Sequence, residues 1–239
     1  MKIILATSNI GKAKEFKELL AGHEIIPYSD VLEPFEIEEN EDTFAKNALI
    51  KANAVYDALL GLFNENKAQK PMLIECKKAL QEGCLCVLSD DSGISVEALN
   101  FAPGIYSARY SSDVCAQPNA ASNRAKMIDE LNKRGLESSR AFYTAALALV
   151  YGIKEHYAKF KGIQSKMCYV THGFLHGRVI TRERGENGFG YDFMFIPDGY
   201  ENTIGELGAD IKASISHRSR AANVLMPILN MLQRQANTF

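Results

Sequence analysis

The strongest constraint on the fold is an apolar run at residues 84–88 that is followed almost at once by two acidic residues. The run is typical of a short buried strand. Asp90 and Asp91 then need a counter-charge, because a buried carboxylate without one is costly. Gly93 is expected to let the chain turn directly after Ser92. The pattern predicts a strand end that carries polar chemistry, although a plain turn capped by Asp and Ser would use the same residue types.

Segments of helical and strand character are interspersed along the chain. Apolar spacing predicts helices near residues 13–20, 43–60, 72–81 and 119–135 and from about 217 onward. Strands are predicted at residues 2–6, 23–28, 84–88, 142–151, 167–175, 176–182 and 191–197. The β-rich middle is not a simple βαβ repeat, so we expect an α/β fold with a mixed sheet and helices at its sides. Residues 1–239 are interpreted as one domain, in which the lysine-rich residues 61–83 form an accessory insertion.

Composition argues against several classes of partner. The formal net charge of −2 does not favour nucleic acid or an anionic membrane, since both attract basic surfaces. No apolar run approaches the roughly 18 residues of a membrane span. Asn9 and Lys12 come too early for a secretion signal, and the five cysteines are expected to stay reduced. We therefore expect a cytoplasmic protein.

Two segments in the first quarter of the chain suit an anion. Thr7-Ser8-Asn9 opens a predicted helix with Lys12 in its first turn, where free N–H groups and the helix dipole favour negative charge. A plain N-cap by Ser8 or Asn9 explains the same residues. Lys51 lies on the apolar side of the next predicted helix, so its ammonium group must reach solvent or meet an anion.

Two later segments suit a flat ring and a further anion. Gly188-Phe189-Gly190-Tyr191-Asp192 places two aromatic rings in a glycine-rich loop, which favours stacking on a planar group, although the glycines could serve a hairpin alone. Lys212 and Ser216-His217-Arg218 gather three potential cations near a predicted helix start, which indicates an anion site or a solvated cap.

Together, these segments resemble the inosine triphosphate pyrophosphatase family, also called the Ham1-like family, from Thr7 to about Ala222. The resemblance implies an elongated α/β fold in which a central mixed sheet is flanked by helices and two lobes enclose a nucleotide cleft. It implies a homodimer that uses Mg²⁺ to hydrolyse ITP, dITP and XTP to the monophosphate and pyrophosphate. Such a reaction removes deaminated purines from the nucleotide pool.

The resemblance also implies roles for individual residues. Asp91 would accept a proton, Lys51 would act with it on the phosphates, and Mg²⁺ would be held by Asp91, Asp90 and Glu39. Either Glu38 or Glu41 could replace Glu39. The implied substrate-binding residues are Thr7, Ser8, Asn9, Ile10, Gly11, Lys12, Ser92, Phe189, Gly190, Tyr191, Asp192, Lys212, His217 and Arg218.

The chain departs from the family pattern in two places. The family often has a glycine two residues after the position of Glu39, where this chain has Glu41, and Phe193 replaces the proline that usually follows Asp192. Two alternative functions fit the sequence less well. A Maf-like nucleotide pyrophosphatase is disfavoured by residues 188–192 and 216–218, and a non-catalytic nucleotide-binding protein is disfavoured by the acidic pair with its lysine.

Overall fold

A computed structural model describes residues 1–7, 9–64, 70–152 and 166–237 of the chain. The helices are α1 (Ile10–Leu19), α2 (Phe44–Asn64), α3 (Pro71–Gln81), α4 (Ala120–Lys133), α5 (Ala209–Ile215) and α6 (His217–Asn237). The strands are β1 (Lys2–Leu5), β2 (Glu24–Pro27), β3 (Leu85–Val96), β4 (Ser138–Gly152), β5 (Lys166–Ile180) and β6 (Phe195–Pro197). Within these ranges no helix combines the length and the apolar character needed to cross a membrane.

The strands form one mixed sheet in the order β2-β1-β3-β4-β5-β6. Strand β1 runs parallel to both β2 and β3, whereas β5 and β6 are antiparallel. Leu5 of β1 pairs with Leu88 of β3, so α1 begins beside the part of β3 that carries the acidic pair. The predicted α/β fold with a mixed sheet flanked by helices is confirmed. The cleft that the resemblance implies stays a prediction.

The chain divides into two compact units, each discontinuous in sequence. Unit 1 comprises Met1–Asp91, Ala146–Thr171 and Ala222–Phe239, and unit 2 comprises Ser92–Ala145 and His172–Ala221. Each unit has its own apolar core. Val55 of α2 and Val87 of β3 lie in the core of unit 1, and Ile94 of β3 lies in that of unit 2.

The prediction that the chain turns at Gly93 was wrong. Strand β3 continues from Leu85 through the acidic pair to Val96. Ile94 and Val96 are fully buried, so the strand gains apolar burial on both sides of its polar centre. Nearly every residue of β3 is buried, so both faces of the strand are covered and buried residues do not alternate with exposed ones. The polar residues therefore lie inside a strand, where alternation directs neighbouring side chains to opposite faces.

Three other parts of the secondary structure also differ from the sequence-based prediction. Residues 167–175 and 176–182 were predicted as two strands, but β5 is a single strand from Lys166 to Ile180. Small Gly173 and Gly177 allow close packing on one face of this strand rather than breaking it. Only Phe195–Pro197 of residues 191–197 is a strand, and the short helix α5 was not predicted.

Residues 61–83 contribute to the core of unit 1. They contain the end of α2 and all of α3, which buries Leu73, Cys76 and Ala79 against the unit 1 core. Residues 65–69 lie outside the described part of the chain. The interpretation of residues 61–83 as an accessory insertion stays a prediction.

Gly173 is a glycine of unit 2 whose surroundings leave no room for a side chain. A Cβ atom there would overlap the backbone oxygen of His217 and the backbone nitrogen of Ala221. We therefore expect Gly173→Ala to lower the free energy of unfolding by about 1–3 kcal/mol, as overpacking usually does. Denaturant or thermal unfolding measures the change.

Gly61→Ala is the matched control for Gly173→Ala. Gly61 lies within α2, and a Cβ atom there would meet nothing within 4 Å. This variant should gain about 0.5–1 kcal/mol, because alanine restricts the unfolded chain and favours a helix. Equal effects of the two substitutions would contradict the packing assigned to Gly173.

Candidate active site

A buried lysine joins two carboxylates in unit 1. The Nζ atom of Lys51 donates to Glu39 Oε2 at 2.8 Å and to Asp91 Oδ1 at 3.2 Å. Its side chain is only 12% exposed, and that of Asp91 is 11% exposed. Of the two alternatives that the sequence left open for Lys51, the one in which it meets an anion is therefore confirmed. The residue reaches these partners because it faces β3 from the middle of α2.

A second lysine meets the other member of the acidic pair. The Nζ atom of Lys12, from the first turns of α1, lies 2.6 Å from Asp90 Oδ2. The side chain of Asp90 is completely buried. Because Asp90 and Asp91 are consecutive in a strand, their side chains point to opposite faces, and each meets a lysine from a different helix. Each member of the acidic pair thus has its own ammonium partner, and Lys51 is shared with Glu39.

The close packing of these charges shifts their pKa values. Burial raises the pKa of Asp91 above the ordinary aspartate range. The neighbouring carboxylates also raise this pKa, and the two lysines lower it without cancelling the rise. Burial alone would lower the pKa of Lys51, but the carboxylates around it outweigh burial and raise it. Lys51 therefore stays protonated, while Asp91 is a stronger base than an exposed aspartate.

One oxygen of Asp91 is available for a further ligand. Its Oδ2 atom is buried and accepts no hydrogen bond from the residues that the structure describes. Within those same residues, no three His, Cys, Asp or Glu side chains are grouped to hold a metal ion. Mg²⁺ does not need such a cage, because it commonly takes one or two carboxylates and completes its shell with water and substrate phosphates. Asp91 and Glu39 fit that limited requirement.

The three glutamates considered for the second carboxylate lie in different surroundings. Glu39 shares Lys51 with Asp91. Glu38 is exposed, and Glu41 lies 3.4 Å from the ammonium group of exposed Lys46. The position of Glu39 therefore favours it over the other two.

The start of α1 is organised by its own side chains. Asn9 caps the helix, since its Oδ1 atom accepts from the backbone N–H of Lys12. Thr7 Oγ1 accepts from the backbone N–H of Asn9 at 3.2 Å. Gly11 is exposed in the first turn. The predicted N-cap is thus confirmed at Asn9. Ser8 lies outside the described residues, and of Ile10 only the backbone is described.

Asp192 is the centre of a second polar cluster, in unit 2. Its Oδ2 atom accepts from Lys212 Nζ at 2.7 Å and from the backbone N–H of Phe189 at 2.9 Å. Asp192 is 4% exposed. Gly188 makes the tight loop possible, because a Cβ atom there would collide with the Asp192 carboxylate and its φ is +95°. The carboxylate thus fixes both the loop backbone and the Lys212 ammonium group.

The two aromatic residues of the loop differ in exposure. Phe189 is 37% exposed, with Lys212 Nζ 4.4 Å and Arg218 Cζ 5.4 Å from its ring centroid. Tyr191 is buried, and its hydroxyl donates to the carbonyl of Ser107 at 2.8 Å. Of the aromatic pair, only the Phe189 ring is therefore presented for stacking, and Tyr191 anchors the loop. Gly190, between them, has a φ of +62°.

The first residues of α6 complete the unit 2 cluster. Arg218 Nη2 donates to Ser92 Oγ at 2.7 Å, and the His217 ring stacks on Tyr143 at 4.7 Å. Both His217 and Arg218 are buried. The cluster therefore brings together the predicted residues Ser92, Phe189, Asp192, Lys212, His217 and Arg218. Ser92 directly follows Asp91 of the unit 1 cluster in the chain.

Sequence reasoning missed two residues of this cluster. Arg124 of α4 donates to the carbonyl of Gly190 at 2.8 Å and lies 4.7 Å from the Phe193 ring centroid. Phe193, the departure from the family pattern, is therefore held by a cation–π contact. Tyr143 of β4 lies beneath Asp192 and His217. Neither residue belongs to a short motif, so no local sequence signal identifies them.

The fold and the two clusters define an α/β protein with paired lysine–carboxylate chemistry in one unit and an aromatic–cation cluster in the other. The sequence model of the Ham1 family matches residues 3–228. A dITP/XTP pyrophosphatase of Campylobacter fetus subsp. fetus is 47% identical over 234 residues, 98% of each chain. One of Nautilia profundicola is 46% identical over 235 residues, 96% of this chain and all of the relative. The chain belongs to the Ham1 family.

Solved structures agree with this assignment. The Ham1 protein of Staphylococcus aureus is 30% identical and superposes with a TM-score of 0.69, covering 96% of this chain and 98% of its own. A HAM1 protein from Coxiella burnetii is 29% identical with a TM-score of 0.70, covering 97% of this chain and 99% of its own. The resemblance read from the sequence is confirmed, in place of the Maf-like alternative.

Removal of the Asp91 charge is expected to stabilise the metal-free protein in a pH-dependent way. Because the folded-state pKa of Asp91 is raised, ionisation costs more in the folded than in the unfolded chain, and the wild type loses stability as the pH rises through that pKa. We expect Asp91→Asn to gain more relative to the wild type at about pH 8 than at about pH 4.5. Urea unfolding in EDTA at both pH values measures the difference.

Asp57→Asn serves as the control for this pH dependence. Asp57 is an exposed partner of Lys166, with 60% of its side chain accessible. Its substitution should change stability by less than about 0.5 kcal/mol at either pH, as at most surface sites. A larger gain for Asp91→Asn at the acidic pH would contradict the raised pKa.

Proposed function

We propose that this protein hydrolyses deaminated purine nucleoside triphosphates, such as dITP, ITP and XTP, to the monophosphate and pyrophosphate. The proposal rests on the contacts of Lys51, which donates hydrogen bonds to both Glu39 and Asp91. The other oxygen of Asp91 accepts no hydrogen bond from the described residues. Relatives that are nearly half identical over almost the full length are named dITP/XTP pyrophosphatases. The reaction removes deaminated bases from the nucleotide pool.

The unit 1 cluster suits the triphosphate. Hydrolysis between the α and β phosphates places negative charge on a crowded group, and fixed cations lower the barrier by stabilising that charge. Lys12 and Lys51 are held near the acidic pair by their ion pairs, so their ammonium groups need little reorganisation. The N-terminus of α1 adds backbone N–H donors and the positive end of a helix dipole.

We propose that Mg²⁺ is the cofactor. Asp91 and Glu39 would hold it, with Asp90 in support, and Asp91 Oδ2 is the oxygen that remains available for it. When bound, the ion would neutralise the polyphosphate and polarise the phosphorus that is attacked. Mg²⁺ prefers oxygen ligands such as carboxylates, and Lys51 brings the carboxylates of Glu39 and Asp91 together.

Asp91 is the proposed proton acceptor. Burial raises the pKa of Asp91 in the metal-free protein, and a carboxylate placed beside the phosphates can orient and deprotonate the attacking water. Lys51 holds Oδ1 of the carboxylate and so fixes its direction. The protein thereby orients the base before the substrate arrives, which lowers the entropic cost of the reaction.

The unit 2 cluster suits the base. Hypoxanthine and xanthine carry a keto group where adenine carries an amine, so donors placed there favour the deaminated bases. His217 and Arg218 are the proposed donors, and the exposed ring of Phe189 offers a stacking surface. Guanine shares the keto group and must be rejected at its 2-amino group. On the basis of the family resemblance, we also propose that the protein acts in the cytoplasm as a homodimer.

A substrate panel tests the proposal. The purified protein is incubated with Mg²⁺ and, separately, dITP, XTP, dATP, dGTP, dTTP and UTP, and phosphorus NMR identifies the products. We expect dITP and XTP to give the monophosphate and pyrophosphate much faster than the other nucleotides. Preferential cleavage of dTTP or UTP would instead support a pyrimidine-directed enzyme. Tight binding of dITP without turnover would support a non-catalytic nucleotide-binding protein.

Asp91→Asn is expected to lower kcat for dITP by about 10²–10⁴-fold, the usual contribution of a general base. The variant should keep the fold, because asparagine has nearly the same shape as the buried aspartate. Steady-state pyrophosphate release measures the loss, and Asp57→Asn is the control that should keep wild-type kcat. Near-full activity of Asp91→Asn would exclude Asp91 as base and metal ligand.

A further inference from the structure

Tyr143 touches two residues of the unit 2 cluster that are distant in sequence. Its hydroxyl donates to Asp192 Oδ1 at 3.3 Å. Its ring stacks on His217 with a centroid distance of 4.7 Å and an interplanar angle of 7°. Tyr143 lies in β4 and is only 6% exposed, so it sits beneath the cluster rather than on its surface.

The hydroxyl of Tyr143 completes the hydrogen bonding of Asp192. The Oδ2 atom already accepts from Lys212 and from the backbone of Phe189. With Oδ1 bound to Tyr143, both carboxylate oxygens have donors, and rotation of the carboxylate would break at least one of these bonds. The same carboxylate sets the position of Lys212 Nζ, which lies 4.4 Å from the Phe189 ring centroid. A single buried hydroxyl thus helps to fix the cation beside the stacking ring.

A role in packing alone does not explain this hydroxyl. Tyr143 also contacts the Phe195 ring at 4.8 Å, so its ring already fills the space between core aromatics. A phenylalanine would supply that contact without the cost of burying a polar group. The hydroxyl offsets its burial by bonding to Asp192, a residue of the proposed base-recognition cluster.

We propose that Tyr143 is a positioning residue for base recognition, which orients Asp192 through its hydroxyl and His217 through its ring. The inference rests on the proposed function, since the base-binding role of the cluster belongs to it. Tyr143 acts through these two residues and does not itself contact the nucleotide. It therefore contributes to nucleotide affinity and not to the proton transfer assigned to Asp91.

The test compares Tyr143→Phe with Tyr151→Phe. Tyr151 lies in the same strand, is 5% exposed, and donates its hydroxyl to the Gly83 carbonyl of unit 1 at 2.9 Å. Each variant loses one buried hydroxyl and keeps its ring. We expect Tyr143→Phe to raise KM for dITP about tenfold, the scale of one hydrogen bond to a charged group, with kcat within about twofold. Tyr151→Phe should lower the unfolding midpoint but leave KM unchanged.

Two probes separate the halves of the substrate. Inhibition by inorganic tripolyphosphate, which lacks a base, should be equal in the wild type and in Tyr143→Phe. Calorimetric titration with dIMP should show about tenfold weaker binding to Tyr143→Phe, whether or not the protein hydrolyses dITP. The inference is overturned if Tyr143→Phe matches Tyr151→Phe in KM and in dIMP binding. It is also overturned if Tyr143→Phe weakens inhibition by tripolyphosphate as much as it weakens dIMP binding. Lack of dITP turnover by the wild type would overturn the proposed function instead.

Discussion

The ion pairs of Lys51 are the interaction on which the rest of the site depends. A carboxylate in the middle of a buried strand is tolerable only with a partner, and Lys51 supplies one to both Asp91 and Glu39. The arrangement explains why a lysine occupies the inner side of α2. It also explains why β3 can pass through its acidic centre without a turn, since each charge meets a lysine from a different helix.

Unit 2 also contains a buried carboxylate, which is stabilised by a different set of donors. There Asp192 is the buried charge, and its donors are an ammonium group, a backbone N–H and a tyrosine hydroxyl. These bonds hold the loop of residues 188–192 in a conformation that exposes the Phe189 ring and buries Tyr191. Both clusters therefore use a buried carboxylate to fix the direction of a lysine, in one unit beside the proposed metal ligands and in the other beside an aromatic ring.

Much of the fold and the membership of both clusters could be predicted from the sequence. Helical spacing located α1, α2, α3, α4 and α6 within a few residues. For the lysine on the apolar side of α2, the sequence left solvent and an anion as alternatives. The prediction of a turn at Gly93 was wrong because glycine permits a turn without requiring one. Burial of Ile94 and Val96 favoured a longer strand. Tyr143 and Arg124 could not be found, because their contacts join segments that are distant in sequence. The metal ligands and the dimer stay predictions.

A double-mutant cycle on Lys51 and Asp91 tests the central interaction most directly. Urea unfolding at neutral pH in EDTA is measured for the wild type, Lys51→Met, Asp91→Asn and the double variant. Lys51→Met alone should be strongly destabilising, because it leaves buried carboxylates without their cation. Adding Asp91→Asn should recover part of that loss, with a coupling free energy of about 1–3 kcal/mol. Effects that add within about 0.5 kcal/mol would show that the two side chains do not depend on each other, and would contradict the central role of the Lys51 ion pairs.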